Sequence, residues 1–259
     1  MYKIGIFDSG VGGLTVLKEI QKIKENLEII YYADTFNSPY GRKTMEEVKG
    51  FCTNIVKFFI DNQVDLIVIA CNTATVASIE HLKTITDIPI IGVINPGATE
   101  ALNVTKNKKV AVLATPLTVK LNAYEKEISK LKKNVEVYQK GCELLCPMIE
   151  KGWENHEDRD IILKNYIKDI PDDVDTLILG CTHYPLIEQD IKKFFNKNII
   201  NPANYTRLAV ENTIKNISKK DNASKNSIDF FISGELKEFK NIAADVLNID
   251  INTIYRLRF

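Results

Sequence analysis

The sequence predicts an α/β protein built from two similar domains with mainly parallel sheets. Short runs rich in Val, Ile and Leu alternate with stretches of helical periodicity, which is typical of parallel strands joined by helices. The strand pattern of residues 3–9 starts again at residues 109–115. A strand that ends in a cysteine occurs once in each half, at residues 64–73 and 174–183.

Each strand is predicted from a short aliphatic run, because such runs fit strands that are buried on both faces. In chain order these runs are residues 4–7, 27–32, 65–70, 89–93, 110–113, 135–138, 176–180 and 198–200. Apolar residues at i, i+3 and i+4 predict helices, most clearly at residues 48–59 and also at 121–131. The segment 230–234 and the helix after it are expected to complete the first domain, and the polar stretch 218–227 to form an exposed loop.

Two turn-forming sequences set the predicted domain boundaries. They are Asn-Pro-Gly at residues 95–97 and Asn-Pro-Ala at residues 201–203. The first domain is therefore predicted to comprise residues 1–95 plus 207–259, and the second to comprise residues 96–206.

Charge and cysteine content restrict the function classes. The 259 residues carry 34 basic and 34 acidic side chains, so the chain has no electrostatic footprint for nucleic acid or an anionic membrane. Five cysteines cannot all pair in internal disulfides, and no apolar run approaches the roughly 20 residues that span a bilayer. The first residues predict a strand rather than a signal sequence. We therefore expect a cytoplasmic protein with free thiols that binds neither nucleic acid nor membranes.

Cys71 and Cys181 are the strongest candidates for chemistry. Each follows a buried strand and precedes a polar pair, and open α/β sheets bind ligands outside the carboxyl ends of their strands. An isolated buried cysteine is usually a small core residue, but the repetition favours two thiols aimed at one site. Amides at the start of a following helix are expected to favour each thiolate. A zinc site is not expected, because Cys181 and His183 are too close in sequence for usual spacings and no second ligand pair is obvious.

The glycine-rich segment 8–13 predicts an anion-binding loop after the first strand. Its glycines let the backbone approach a ligand, and free amides at a helix start attract anions. The segment matches neither a P-loop nor the dinucleotide fingerprint, so a substrate carboxylate fits it better than a nucleotide. Asp8 is equally compatible with a turn or a helix cap. The polar loop at residues 34–41 is either a surface loop or a second ligand-binding loop.

Four further side chains in the second half are considered. His183 lies beside a candidate thiol, where an imidazole can hold a thiolate or move a proton. Cys142 and Cys146 are spaced to share one helix face, and partial burial is the preferred interpretation for both. Glu150 is the acidic candidate of this region.

Four motifs taken together resemble the glutamate racemases of bacterial cell-wall synthesis. They are residues 6–15, Asp34-Thr35 with residues 39–41, residues 70–74 and residues 179–186. They come in the family's order, and the likeness runs through nearly the whole chain. The resemblance implies cofactor-independent interconversion of L- and D-glutamate, with D-glutamate supplied for peptidoglycan. It also implies a small-molecule substrate held between two α/β domains that face each other across a central cleft, commonly in a homodimer.

The same resemblance assigns roles to individual residues. Cys71 and Cys181 look like the two catalytic thiols, with Asp8 as helper of the first and His183 as helper of the second. Glu150 matches a further acidic position. The positions that match substrate contacts are Asp8, Ser9, Pro39, Tyr40, Gly41, Asn72, Thr73, Thr115, Thr118, Thr182 and His183.

The implied mechanism uses one thiolate to remove the α-proton and the opposite thiol to return one, so that the configuration inverts. By resemblance, Cys71 acts on the D-isomer and Cys181 on the L-isomer, and the coupled pair predicts a bell-shaped pH profile. Glu143, where the family usually has proline, and Leu121, where serine is common, depart from the family pattern. The alternatives are an aspartate or hydantoin racemase and a non-catalytic protein that binds a small anion.

Overall fold

The computed structural model describes residues 1–218, 226–248 and 254–259, which form two parallel β-sheets with helices on both faces. Its strands are β1 (Tyr2–Asp8), β2 (Leu27–Ala33), β3 (Leu66–Ile69), β4 (Ile90–Gly92), β5 (Lys109–Ala114), β6 (Glu136–Gly141), β7 (Thr176–Gly180), β8 (Asn198–Ile200), β9 (Ser227–Ile232) and β10 (Ile254–Arg256). The first sheet has the order β10-β9-β2-β1-β3-β4, and the second has the order β6-β5-β7-β8. Every strand pair in these sheets is parallel.

Helices connect successive strands. They are α1 (Leu14–Ile20), α2 (Met45–Asp61), α3 (Asn72–Leu82), α4 (Ile94–Val104), α5 (Pro116–Lys120), α6 (Ala123–Leu131), α7 (Leu145–Glu150), α8 (Arg159–Ile167), α9 (Glu188–Phe194), α10 (Pro202–Ile214) and α11 (Leu236–Leu247). Within the described ranges, no helix combines the length and apolar character that crossing a membrane requires.

The predicted α/β class and the eight predicted strands are confirmed, with ends that shift by a few residues. The strands β3 and β7 are buried along their whole length, which explains why they appear as continuous apolar runs. The segment predicted to return to the first domain forms β9, which pairs with β2. Most of the predicted loop at 218–227 lies outside the described residues.

Both turn-forming sequences begin helices instead of turns. Asn95, Pro96 and Gly97 lie in the first turn of α4, where the missing N–H of proline breaks no helical hydrogen bond. Asn201 caps α10, because its side chain accepts a hydrogen bond from the Ala203 amide. The helices α4 and α10 pack against each other, so both connections between the sheets pass through this helix pair.

Each sheet has a hydrophobic core on both of its faces. The helix α2 shows how the sequence pattern produces this packing. Thr44 and Glu47 form a capping box at its start, and its buried stripe is Val48, Cys52, Ile55, Val56 and Phe59. The second predicted pattern is only partly right, because α6 begins at Ala123 and Leu131 is exposed.

Candidate active site

Cys71 and Cys181 lie just after the carboxyl ends of the interior strands β3 and β7, one in each sheet. Cys71 is the N-cap of α3, where its Sγ accepts a hydrogen bond from the Ala74 amide at 3.4 Å. Cys181 is followed by a short 3-10 helix, Tyr184–Ile187, so it lacks a full α-helix at this point. Both cysteines are almost fully buried, yet both line the same cavity.

This cavity, about 350 Å³ including its solvent-open part, collects most of the predicted site residues. It is lined by Ser9, Ser38, Pro39, Tyr40, Gly41, Cys71, Asn72, Thr73, Thr115, Cys146, Glu150, Cys181, Thr182 and His183. Three larger cavities among the described residues contain neither Cys71 nor Cys181. We therefore take the cavity between the two thiols as the candidate site, because it brings the reactive side chains together.

Asp8 and Thr118 are the two predicted site residues that do not line this cavity. Asp8 is fully buried behind the glycine-rich loop, where its carboxylate accepts hydrogen bonds from the Gly10 amide at 2.8 Å and from Thr182 Oγ1 at 3.4 Å. It therefore links the end of β1 to the residues after β7. The glycine-rich loop packs closely against Thr182 and His183, since a Cβ on Gly12 would lie 2.5 Å from both His183 Nδ1 and Thr182 Oγ1.

The polar wall next to Cys71 is a cluster of hydroxyl groups. Thr73 Oγ1 lies 2.9 Å from Thr115 Oγ1 and 3.2 Å from Thr118 Oγ1, so Thr118 supports the wall from behind. The adjacent Asn72 accepts a hydrogen bond from the Tyr124 hydroxyl at 2.7 Å. These contacts fix the orientation of the groups that face the cavity.

The polar loop at residues 34–41 also closes over the site. The hydroxyl of Tyr40 donates to Asp34 Oδ2 at 2.5 Å, and Ser233 donates to Asp34 Oδ1 at 2.7 Å. Asp34 is buried and holds this loop against the end of β9. Of the two interpretations left open by the sequence, the structure favours a loop that lines a ligand cavity.

Cys181 lies near His183, Glu150 and Cys146, of which the sequence placed only His183 beside it. His183 Nδ1 is 3.6 Å from Cys181 Sγ, and its Nε2 is 2.9 Å from Glu150 Oε1. On the other side, Cys146 Sγ lies 3.3 Å from Cys181 Sγ. Cys146, Cys181 and His183 are a group within the described residues whose ligand atoms could hold a metal ion.

The predicted pairing of Cys142 with Cys146 on one helix face is wrong. Cys142 lies in the loop after β6, before α7 begins at Leu145, whereas Cys146 lies within α7. Both thiols are buried rather than partly buried. The residue that shares a helix face with Cys146 is Glu150, four positions further on. That spacing is the sequence signal that could have placed Cys146 in the site.

A model of the Asp/Glu/Hydantoin racemase family matches residues 12–207, which is most of the chain. The chain belongs to this racemase family. Among its relatives, a glutamate racemase of Fusobacterium nucleatum is 40% identical over 98% of this chain and 97% of that protein. A glutamate racemase of Persephonella marina is 39% identical over 96% of this chain and 95% of that protein.

Solved structures of the racemase family share the whole fold. Glutamate racemase isoform RacE1 from Bacillus anthracis superposes with a TM-score of 0.94 and 35% identity, over 100% of this chain and 98% of that chain. The glutamate racemase of Francisella tularensis, crystallised with D-glutamate, gives a TM-score of 0.92 and 32% identity, over 99% of this chain and 97% of that chain. An aspartate racemase of Picrophilus torridus, at 19% identity and a TM-score of 0.60, shares the fold alone.

In this racemase-family chain, the surroundings of both strand-end thiols favour the protonated form when no ligand is present. Burial and the charge of Asp8 raise the pKa of Cys71 to about 12, although the Ala74 amide and Ser9 oppose the shift. The hydrogen bond with Cys146 and burial raise the pKa of Cys181 well above its usual value, although His183 opposes the shift. The expected helix amide does favour the Cys71 thiolate, but desolvation and the charge of Asp8 outweigh it in the ligand-free protein, and no full α-helix follows Cys181 at this point.

The pKa values of His183 and Asp8, which support the two thiols, are also shifted. Burial favours the neutral imidazole of His183, but hydrogen bonds to Cys181 and Glu150 outweigh it and raise the His183 pKa well above 6.5. The raised pKa of His183 favours its imidazolium form. Burial raises the pKa of Asp8, and the His183 charge partly counteracts this shift.

We predict that alkylation of Cys71 in the ligand-free protein accelerates about tenfold per pH unit from pH 7 to pH 10. A thiol with a raised pKa gains thiolate over this whole range, whereas an ordinary thiol levels off above a pKa of about 8.5. The measurement is iodoacetamide labelling followed by mass spectrometry of the Cys71 peptide. A plateau near pH 8–9 would contradict the raised pKa.

Proposed function

We propose that this protein interconverts L- and D-glutamate without a cofactor, with Cys71 and Cys181 as the two acid/base groups. The observation that carries this proposal is the single cavity lined by two strand-end thiols, one from each sheet. Binding a small anion needs hydroxyls and amides, but it does not need a thiol from each side. The near full-length relatives named glutamate racemase support glutamate as the substrate.

The reaction requires the two thiols to hold opposite protonation states. In one direction the thiolate of Cys71 removes the α-proton and becomes a thiol, while the thiol of Cys181 protonates the opposite face and becomes a thiolate. The reverse reaction restores the first state. Because both pKa values are raised in the ligand-free protein, a thiolate has to be favoured by the bound substrate, whose ammonium group supplies positive charge.

Each thiol has a different supporting group. The imidazolium of His183, held by Glu150, lies next to Cys181 and stabilises its thiolate. The Sγ of Cys71 is hydrogen-bonded to the Ala74 amide and the Ser9 hydroxyl, and Asp8 lies behind the glycine-rich loop that carries Ser9. In this scheme the substrate α-carbon lies between the thiols, and the negative charge of Asp8 attracts the substrate ammonium group.

The two substrate carboxylates need donors at fixed positions. Ser9, Thr73 and Thr182 line the cavity, and we assign their hydroxyls this role together with Asn72. The remaining predicted contacts, Pro39, Tyr40, Gly41, Thr115 and Thr118, shape or support the walls. Donors that hold the α-carboxylate also stabilise the carbanion that forms when the α-proton leaves.

Circular dichroism of D-glutamate in the presence of the purified protein tests the proposal. At neutral pH with EDTA and no added cofactor, we expect the signal to decay to zero, and L-glutamate to behave in the same way. A parallel assay with both aspartate isomers serves as the control for specificity. Faster loss of the aspartate signal, or no loss of either, would reject glutamate as the substrate.

The cellular assignments belong to the same proposal. D-glutamate made in the cytoplasm would be used for peptidoglycan, and the protein would act as a homodimer. We also propose the domain division at residues 1–95 plus 207–259 and 96–206, which follows the membership of the two sheets. Size-exclusion chromatography with light scattering tests the dimer.

A further inference from the structure

We propose that Cys146, Cys181 and His183 form a binding site for a thiophilic divalent cation of the Zn²⁺ type, which blocks the site when it binds. Binding itself depends only on these three side chains. The inhibitory consequence rests on the proposed function, because it requires Cys181 to act as an acid and base.

The three ligand atoms are already close to a zinc geometry. Cys146 Sγ and Cys181 Sγ are 3.3 Å apart, Cys181 Sγ and His183 Nδ1 are 3.6 Å apart, and all three atoms lie within 4.8 Å of one another. Tetrahedral zinc with Zn–S of about 2.3 Å and Zn–N of about 2.0–2.1 Å places sulfur atoms about 3.8 Å apart, and sulfur and nitrogen about 3.5 Å apart. Small side-chain shifts therefore suffice to accept the ion.

The histidine is also oriented as a metal ligand. Its Nε2 lies 2.9 Å from Glu150 Oε1, so a proton on Nε2 leaves the Nδ1 lone pair free on the side of Cys181 Sγ. A carboxylate that receives the second N–H of a ligating histidine is the usual support of a zinc site. Glu150 and Cys146 lie four residues apart on α7, so one helix supplies both a ligand and this support.

The ligand set comes from residues that are 35 positions apart in the chain, Cys146 and Cys181. This separation explains why spacing within the Cys181-Thr182-His183 motif gave no zinc signal. Three protein ligands leave one position of a tetrahedral ion open toward the cavity. Two thiolates neutralise the divalent charge, so binding releases both thiol protons and also the Nδ1 proton of a protonated His183.

Metal binding and proton transfer compete for the same sulfur atom. When Cys181 Sγ is bound to the cation, its lone pair is no longer available to take a proton, and it carries no proton to donate. His183 must be neutral to bind the metal, so the imidazolium that supports the Cys181 thiolate is also lost. The cation would therefore inhibit reversibly, and a chelator would restore activity.

The test uses Co²⁺ as a spectroscopic probe of the full-length protein, kept reduced with a phosphine instead of a thiol. We expect one equivalent of Co²⁺ to produce near-ultraviolet thiolate-to-cobalt absorption and the intense visible bands of tetrahedral cobalt. Cys146→Ser should abolish these bands, and Cys146→Ala serves as a second variant if the first folds poorly. Cys142→Ser is the matched control, because Cys142 is buried nearby but does not line the cavity; it should keep the bands.

Inhibition by Zn²⁺ provides the second readout. Each variant is compared with its own rate in the absence of Zn²⁺. Cys146→Ser should need at least about tenfold more Zn²⁺ for half inhibition than the wild type or Cys142→Ser. EDTA should reverse the inhibition. Absence of sulfur-to-metal bands in the wild type, or their persistence in both Cys146 variants, would overturn the proposal. If the protein failed to racemise glutamate, the cobalt spectra would still decide the metal site, so the two failures are distinguishable.

Discussion

Replacing either strand-end thiol, in Cys71→Ser or Cys181→Ser, is expected to lower glutamate racemisation by about 10²–10⁴-fold in both directions. Serine nearly preserves the size of the side chain, so the fold and the cavity should persist. Its hydroxyl is a far weaker acid than a thiol and cannot supply a competent base at neutral pH. Because each direction of the reaction needs both groups, the two variants should be similarly impaired.

Circular dichroism measures the two rates, and calorimetry measures glutamate binding, which both variants should retain. Cys142→Ser is the matched control, since it removes a buried thiol outside the cavity and should keep near-normal turnover. Near-normal turnover by Cys71→Ser or Cys181→Ser would defeat the assignment of that thiol.

Adding one methyl group in the glycine-rich loop, in Gly12→Ala, is expected to lower kcat/KM by about 10²-fold. The new Cβ would lie 2.5 Å from His183 Nδ1 and 2.5 Å from Thr182 Oγ1, which is too close for any real contact. Those two side chains, or the loop itself, must move, and this displaces the groups that flank Cys181. An ångström of misplacement at a reacting centre can produce a loss of this size.

The control for this substitution is Gly50→Ala. A Cβ on Gly50 has open space within 4 Å, and Gly50 lies inside α2, where alanine is the better helix former by about 1 kcal/mol. This variant should keep its activity and melt at the same or a higher temperature. Equal activities of Gly12→Ala and the wild type would show that the loop does not position the Cys181 side of the site.

Local patterns were sufficient to predict the parallel architecture. The strands β3 and β7 are short aliphatic runs followed by a cysteine, and burial on both faces is the physical cause of their apolar pattern. The strand β10 was not predicted, because its sequence, Ile-Tyr-Arg, is not an aliphatic run and its strand conformation depends on pairing with β9. Asn-Pro-Gly at residues 95–97 was misinterpreted because proline suits the first turn of a helix as well as a turn.

The sequence predicted the site residues that lie next to the strand ends, but not the contacts between residues that are far apart in the chain. Residues next to the strand ends were found, because the carboxyl edge of a parallel sheet is where loops converge. Cys146 was missed because its contact with Cys181 depends on how α7 packs against the end of β7. The raised pKa values of Cys71 and Cys181 were also missed, since burial and neighbouring groups act only in the folded protein.

Racemisation in deuterium oxide tests the central claim most directly, namely that two thiols exchange protons with opposite faces of one α-carbon. Starting from unlabelled L-glutamate, the account predicts that nearly all the D-glutamate formed early in the reaction carries deuterium at the α-carbon, while the remaining L-glutamate stays largely unlabelled. Mass spectrometry after chiral separation reads both pools. D-glutamate that retains the original hydrogen, or rapid labelling of the unreacted L-isomer, would contradict two separate thiol acids and bases.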